Sequence, residues 1–209
     1  KLLLIMLESR PITPIRDGWL EVRVPENVMQ DLWGMIDVAS VDAREKLAGN
    51  ISSSLNLDAS DTFRSFIAEA TEDYQRNFNY KPCQLVTEIP REASMQLHDL
   101  WVNYQYQTEF NPSHVHFGVF SFVIWMKMPV ETQDQMRLAF AKNNTSSCVS
   151  CFQFEYLNLF GGRRTFNYPM GKQMEGLMVF FPAEMNHLVY PFYGTKEPRI
   201  SVAGNIALK

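Results

Sequence analysis

Residues 117–128 constrain this chain more than any other stretch. They form an almost unbroken apolar run, marked off by Gly118 and Pro129, of the kind found in a strand covered on both faces. Such a strand needs a layer on each side, and the surrounding sequence supplies candidates for both. From Ser94 onward the apolar period is two. Residues 100–108 alternate, with Trp101, Asn103 and Gln105 on one face and Val102, Tyr104 and Tyr106 on the other. Further strands are expected around 151–159, 177–181 and 199–207. Turns are expected at Asn111-Pro112-Ser113, Gly161-Gly162, Pro169-Met170-Gly171 and Tyr193-Gly194-Thr195.

The first third of the chain has helical spacing instead. Val28, Leu32, Met35 and Ile36 recur at turns of one helix, with Asn27 as its expected N-cap. A second helix is expected over 61–78, where Phe63, Phe66, Ile67, Ala70, Tyr74 and Phe78 form one stripe; Ser60 or Asp61 would cap it, and Pro82 lies beyond its end. These aromatics read as core packing against a sheet. The apolar opening, residues 1–7, is too short for a signal core or a membrane span and reads as a first strand or a cover for a sheet edge. The expected fold class is α+β, mainly β: antiparallel strands behind a helical layer, arranged as a two-sheet sandwich or jelly roll. One domain spans 1–209, with 1–90 a helical part that supports the sheet and 94–209 the strand-rich core.

Composition excludes several classes of function. Hydrophobic residues at 46% and charged residues at 20% describe a globular chain with little room for a disordered tail. A net charge of −4, with no basic cluster larger than Arg163-Arg164, leaves no electrostatic footprint for nucleic acid. Three cysteines, Cys83, Cys148 and Cys151, are an odd number, which argues against a disulfide framework and for a reducing, cytoplasmic setting. Cys148-Val-Ser-Cys151 lacks the second ligand pair that would close a zinc site nearby, so local packing is its default reading.

Three of the four histidines carry the functional signal. On a strand His114 and His116 would point to the same side and could share one ion. His187 follows a buried-looking strand and a proline stop, where the next strand would begin, and could supply a third imidazole. A single histidine is more often a satisfied polar residue than a ligand; this arrangement favours a mononuclear metal site. Three histidines on one side of an octahedral ion leave three positions open. Arg199 lies twelve residues beyond His187, enough to turn and run back as the adjacent strand, where Arg199 and Ser201 would share a face. Guanidinium suits a bound acid with a second carboxylate.

At these motifs the sequence resembles the 2-oxoglutarate- and iron(II)-dependent oxygenases of the prolyl-hydroxylase-like branch. The resemblance runs from about Trp101 to the C-terminus through Asn111-Pro-Ser-His-Val-His116, Ser121-Phe-Val-Ile-Trp-Met-Lys-Met-Pro129, the segment 176–187 and Glu197-Pro-Arg-Ile-Ser201. The N-terminal helices also look like those of small members encoded by marine tailed phages, which would act in the host cytoplasm. The resemblance implies a double-stranded β-helix holding iron(II), with 2-oxoglutarate and dioxygen as co-substrates. It makes His114 and His187 iron ligands, Arg199 the partner of the far carboxylate, Ser201 its assistant, and Tyr104 or Tyr106 a further contact. It implies oxidation of a substrate C–H bond coupled to decarboxylation of 2-oxoglutarate to succinate.

His116 departs from the family pattern, which has Asp or Glu there. Neutral imidazole leaves the site one unit more positive, and direct ligation by His116 is the favoured reading over a place behind the ligands. Two other classes stay open: a three-histidine zinc hydrolase or hydratase, which leaves Arg199 and Ser201 without a duty, and a non-catalytic relative serving as a virion component or binding module. The expected partner is a small-molecule or peptide substrate, chosen by loops at 130–147 and 160–172. A homodimer is left open, and no membrane partner is expected.

Overall fold

The computed structural model describes residues 18–78, 94–145 and 148–209. The opening segment 1–7, Pro82 and Cys83 lie outside them. In chain order the elements are β1 (Leu20–Arg23), α1 (Glu26–Val38), β2 (Ser53–Asn56), α2 (Asp61–Phe78), β3 (Met95–Gln105), β4 (Asn111–His114), β5 (Phe120–Lys127), the single turn α3 (Thr132–Gln135), β6 (Phe152–Leu157), β7 (Arg163–Tyr168), β8 (Leu177–Pro182), β9 (Asn186–Val189) and β10 (Arg199–Leu208). Every strand pairing is antiparallel. One sheet has the order β1-β8-β5-β10-β3-β2 and the other β4-β9-β6-β7.

The apolar run becomes β5, and it is buried on both faces as its composition requires. Phe120, Phe122, Ile124 and Met126 pack with α1 and α2 through Leu32, Phe63, Ile67 and Tyr74. From the opposite face Trp125 packs with Phe152, Phe154 and Tyr168 of the smaller sheet. Two cores therefore share one strand. β10 is built the same way: Ile200, Val202 and Ile206 join the helix-side core, and Arg199, Ser201 and Ala203 line the cavity toward the second sheet.

Local signals set both helices, with one difference from expectation. Ser60 caps α2, its hydroxyl accepting the Phe63 N–H at 3.0 Å. α1 begins two residues earlier than a cap at Asn27 would allow. Pro25 is extended (φ −59°, ψ 149°), and its carbonyl accepts the N–H groups of Val28 and Met29, so Asn27 falls within the first turn.

The expected helical part is also more than helical. β1 and β2 come from it and form the two edges of the large sheet. Four residues each, they are too short to show a period. β7, written Arg-Arg-Thr-Phe-Asn-Tyr, is largely exposed at the edge of the small sheet and lacks an apolar pattern. The turn expected at Asn111-Pro112-Ser113 is instead most of β4, irregularly paired to β9.

β10 and β3 approach closely at Gly204. A Cβ placed there would stand 2.6 Å from the Asp99 carbonyl oxygen and 2.7 Å from Phe122 Cζ. Neither neighbour can yield, one being backbone and the other a packed ring. Gly204→Ala is expected to cost about 1–3 kcal/mol, as overpacking does, read as a lower urea midpoint at unchanged slope.

Candidate metal centre

The small sheet brings the first two imidazoles together. β4 and β9 pair with His114 directly opposite His187, and their ring centroids are 4.3 Å apart. His116 arrives differently from the expected alternation, because β4 ends at His114. The chain is held instead by a bond from the His116 N–H to the Ala183 carbonyl, 2.8 Å, just before β9. The His116 ring then lies 5.0 Å from His114 and 4.9 Å from His187, with Trp101 of β3 beyond it at 5.7 Å. One ligand-capable nitrogen from each of the three rings falls within 4.8 Å of the others. His98, the fourth histidine, is exposed and belongs to no such group.

Second contacts fix which nitrogen two of the rings offer. Nδ1 of His114 faces the Pro112 carbonyl at 2.7 Å, and Nδ1 of His187 faces the Met185 carbonyl at 2.9 Å. A carbonyl only accepts, so both Nδ1 atoms carry hydrogen and both Nε2 atoms present lone pairs. Burial holds all three imidazoles below their ordinary pKa, His116 to about 4 and His187 well below 6.5, and their mutual repulsion adds to this at His116 and His187. Nε2 of His116 stands 3.1 Å from Nε2 of His187. Metal–imidazole bonds of about 2.1 Å meeting at right angles separate their nitrogens by about 3.0 Å. Neutral imidazoles converging this way suit a borderline cation.

Arg199 lines the same cavity from the opposite sheet. β10 does not run beside β9, as the spacing suggested; the chain crosses between sheets, and β10 pairs with β3 and β5. The guanidinium is 1% exposed. One terminal nitrogen donates to Gln105 Oε1 at 3.3 Å, and the other to the carbonyl and hydroxyl of Ser150 at 2.8 and 2.7 Å. Its Cζ lies over the Phe192 ring, 5.1 Å from the ring centre, and its Nε has no partner. Burial pulls its pKa down to about 10, so the group stays charged at neutral pH. No carboxylate among the described residues pairs with it. A buried cation held only by neutral acceptors keeps an uncompensated positive charge, which favours an anion beside it.

Ser201 lines this cavity too. Tyr104 and Tyr106 are not brought to it. Tyr104 lies on the other face of β3 and packs on the helix-side core, while Tyr106 is 39% exposed past the strand end. Alternation along β3 is the reason for Tyr104: Asn103 and Gln105 face the cavity, so the tyrosine between them cannot. Gln105 and Ser150 are the contacts that sequence reading missed. Ser150 sits in the C-x-x-C, which proves to be a turn closed by the Cys151 N–H on the Cys148 carbonyl at 3.0 Å. Burial raises the Cys151 thiol to about 11, and neither cysteine joins a metal-capable group among the described residues.

Comparison with known proteins agrees with this geometry. The family model described as "Putative 2OG-Fe(II) oxygenase" matches residues 99–205, just over half the chain. The chain belongs to that family, a group of 2-oxoglutarate-dependent, non-haem iron oxygenases that use iron(II), 2-oxoglutarate and dioxygen. Two solved structures share its fold. A prolyl-4-hydroxylase from Pseudomonas putida is 13% identical, with 91% of this chain and 92% of that one covered and a TM-score of 0.50. An oxidoreductase of the 2OG-Fe(II) oxygenase family from Burkholderia pseudomallei is 10% identical, with 91% and 84% covered and a TM-score of 0.54. No curated protein matches the sequence. Among the described residues no helix is long and apolar enough to cross a membrane.

The depressed imidazoles have a consequence for stability. As pH falls through about 6.5 the unfolded chain takes up protons before the folded one. The neutral histidines therefore contribute stability that is complete above that pH and is lost as the pH falls toward about 4, the value at His116. Metal-free protein melted across this window is expected to lose Tm steadily on acidification, with a shallower slope in His116→Gln.

Proposed function

We propose that His114, His116 and His187 bind iron(II), that Arg199 with Ser201 grips the far carboxylate of 2-oxoglutarate, and that the enzyme couples decarboxylation of 2-oxoglutarate to succinate with oxidation of a substrate C–H bond. The two sheets are read as a double-stranded β-helix within one domain, with α1 and α2 packed on the outside of the larger sheet. The observation that carries the reading is the buried, acid-free guanidinium of Arg199 in the same cavity as three converging neutral imidazoles.

Each residue has a definable duty. Carbonyls of Pro112 and Met185 orient His114 and His187 and keep their lone pairs turned inward. Gln105 and Ser150 hold Arg199 over Phe192, so its charge is preorganised. His116 takes the position where the family pattern has an acid, making the ligand set neutral. A dianionic co-substrate then balances a divalent ion without leaving net negative charge, and Arg199 adds one positive charge at the far end. Iron, when bound, supplies the activation of dioxygen, and Trp125, Phe152 and Phe181 wall the cavity against water. A zinc hydrolase would use the imidazoles alone and leave the buried guanidinium unsatisfied.

Iron(II) and 2-oxoglutarate added without dioxygen are expected to produce a visible charge-transfer band. No band and no 2-oxoglutarate binding would overturn the reading. Arg199→Ala is expected to weaken 2-oxoglutarate by about 2 kcal/mol or more, roughly 30-fold, measured by titrating the band. His116→Asp should retain iron and His116→Ala should lose affinity for it; iron affinity unmoved by His116→Ala would remove that residue from the ligand set.

A further inference from the structure

The cavity face of the large sheet carries four facing pairs from β3 and β10: Gln105 with Arg199, Asn103 with Ser201, Trp101 with Ala203, and Asp99 with Asn205. Polarity reverses along this ladder. One end is the Arg199 guanidinium, and the other is a carboxylate beside an amide. At about 3.4 Å per residue the two ends lie about 20 Å apart. The histidines sit near the middle rung, where Trp101 meets His116.

A second cavity runs from His114 and His116 to the acidic end, with Trp101 as wall and Phe117 at the mouth. Asn205 there is 6% exposed. Its Nδ2 donates to Asp99 Oδ2 at 3.4 Å, and because a carboxylate only accepts, the amide must present its nitrogen to Asp99. Asn205 Oδ1 is thereby turned away, buried and without a partner. An unmet acceptor at such a site is costly unless a ligand supplies the donor. Asp99 forms no ion pair among the described residues; Lys46 also lines this cavity but is exposed.

We infer that Asp99 and Asn205, with Trp101, bind a cationic nitrogen of the primary substrate, an alkylammonium or guanidinium group whose chain leads back toward the histidines. This rests on the oxygenase reading above and names the substrate class for that site. Two acceptors, one of them charged, match a head group with several N–H donors, and the indole face adds a cation–π contact. The same charges sort the two ligands by end. Asp99 repels a dicarboxylate, and Arg199 repels the cation.

The probes are n-pentylamine and n-butylguanidine, with n-pentanol and pentanoate as neutral and acidic controls. Each is titrated against the anaerobic iron(II)–2-oxoglutarate complex by perturbation of its charge-transfer band, and against metal-free protein by calorimetry. Both cations are expected to bind, with the controls weaker by about tenfold or more. Asp99→Asn should cost the cations about tenfold or more and Asn205→Ala several-fold, with 2-oxoglutarate affinity retained. Circular dichroism melts check that both variants fold. Equal binding of n-pentanol, or an Asp99→Asn variant that binds both cations as tightly as wild type, overturns the inference. If wild type gives no band, the co-substrate reading fails and the calorimetric arm still decides the cation site. N-acetyl-lysine methylamide separates two sources of the same chemistry: tighter binding than n-pentylamine assigns a peptide side chain, and weaker binding a free amine.

Discussion

Covering both faces of β5 and β10 forces two different layers onto one sheet, and the site is a product of that requirement. α1 and α2 close one face with an apolar core. The smaller sheet must then close the other, and its own aromatics, Phe152 and Phe154, meet Trp125 and Phe181 there. That packing fills one part of the space between the sheets. Elsewhere the facing residues are polar, and a cavity remains where β4 and β9 stand opposite β3 and β10.

The cavity's electrostatics follow from its depth. Burial, joined by mutual repulsion at His116 and His187, favours the neutral form of the imidazoles. The same burial leaves Arg199 charged, since a guanidinium lowered to about 10 is still protonated near neutrality. A buried pocket thus contains lone pairs at one point and a fixed positive charge at another. Groups around them are spent on orientation: two carbonyls set the histidine tautomers, and Gln105 and Ser150 pin the guanidinium.

Much of this was legible in the residues. The apolar run at 117–128 announced a doubly covered strand, and the stripes from Val28 to Ile36 and Phe63 to Phe78 announced the helices that cover it. Membership of the oxygenase family was readable from the histidines and Arg199 in order. What failed did so for local reasons. β1 and β2 were too short for a period to appear, β7 was too polar, and Asn111-Pro112-Ser113 looked like a turn because proline and asparagine are commoner there than in an edge strand. Tyr104 and Tyr106 were offered as contacts, although the same alternation that favoured Trp101 and Gln105 turns Tyr104 to the helices, and Tyr106 lies exposed past the strand end.

By itself, then, the sequence determined the two helices, the longer strands, the donor types and their order, because side-chain chemistry and apolar period are local properties. Only the tertiary structure decided how they meet. His116 reaches its neighbours through a backbone bond to Ala183, not through strand alternation. Arg199 opposes the histidines from another sheet, because the turn after β9 crosses layers. A C-x-x-C read as local packing became the turn that holds Arg199 through Ser150. Pairing between strands far apart in sequence sets such distances, and no local pattern contains them.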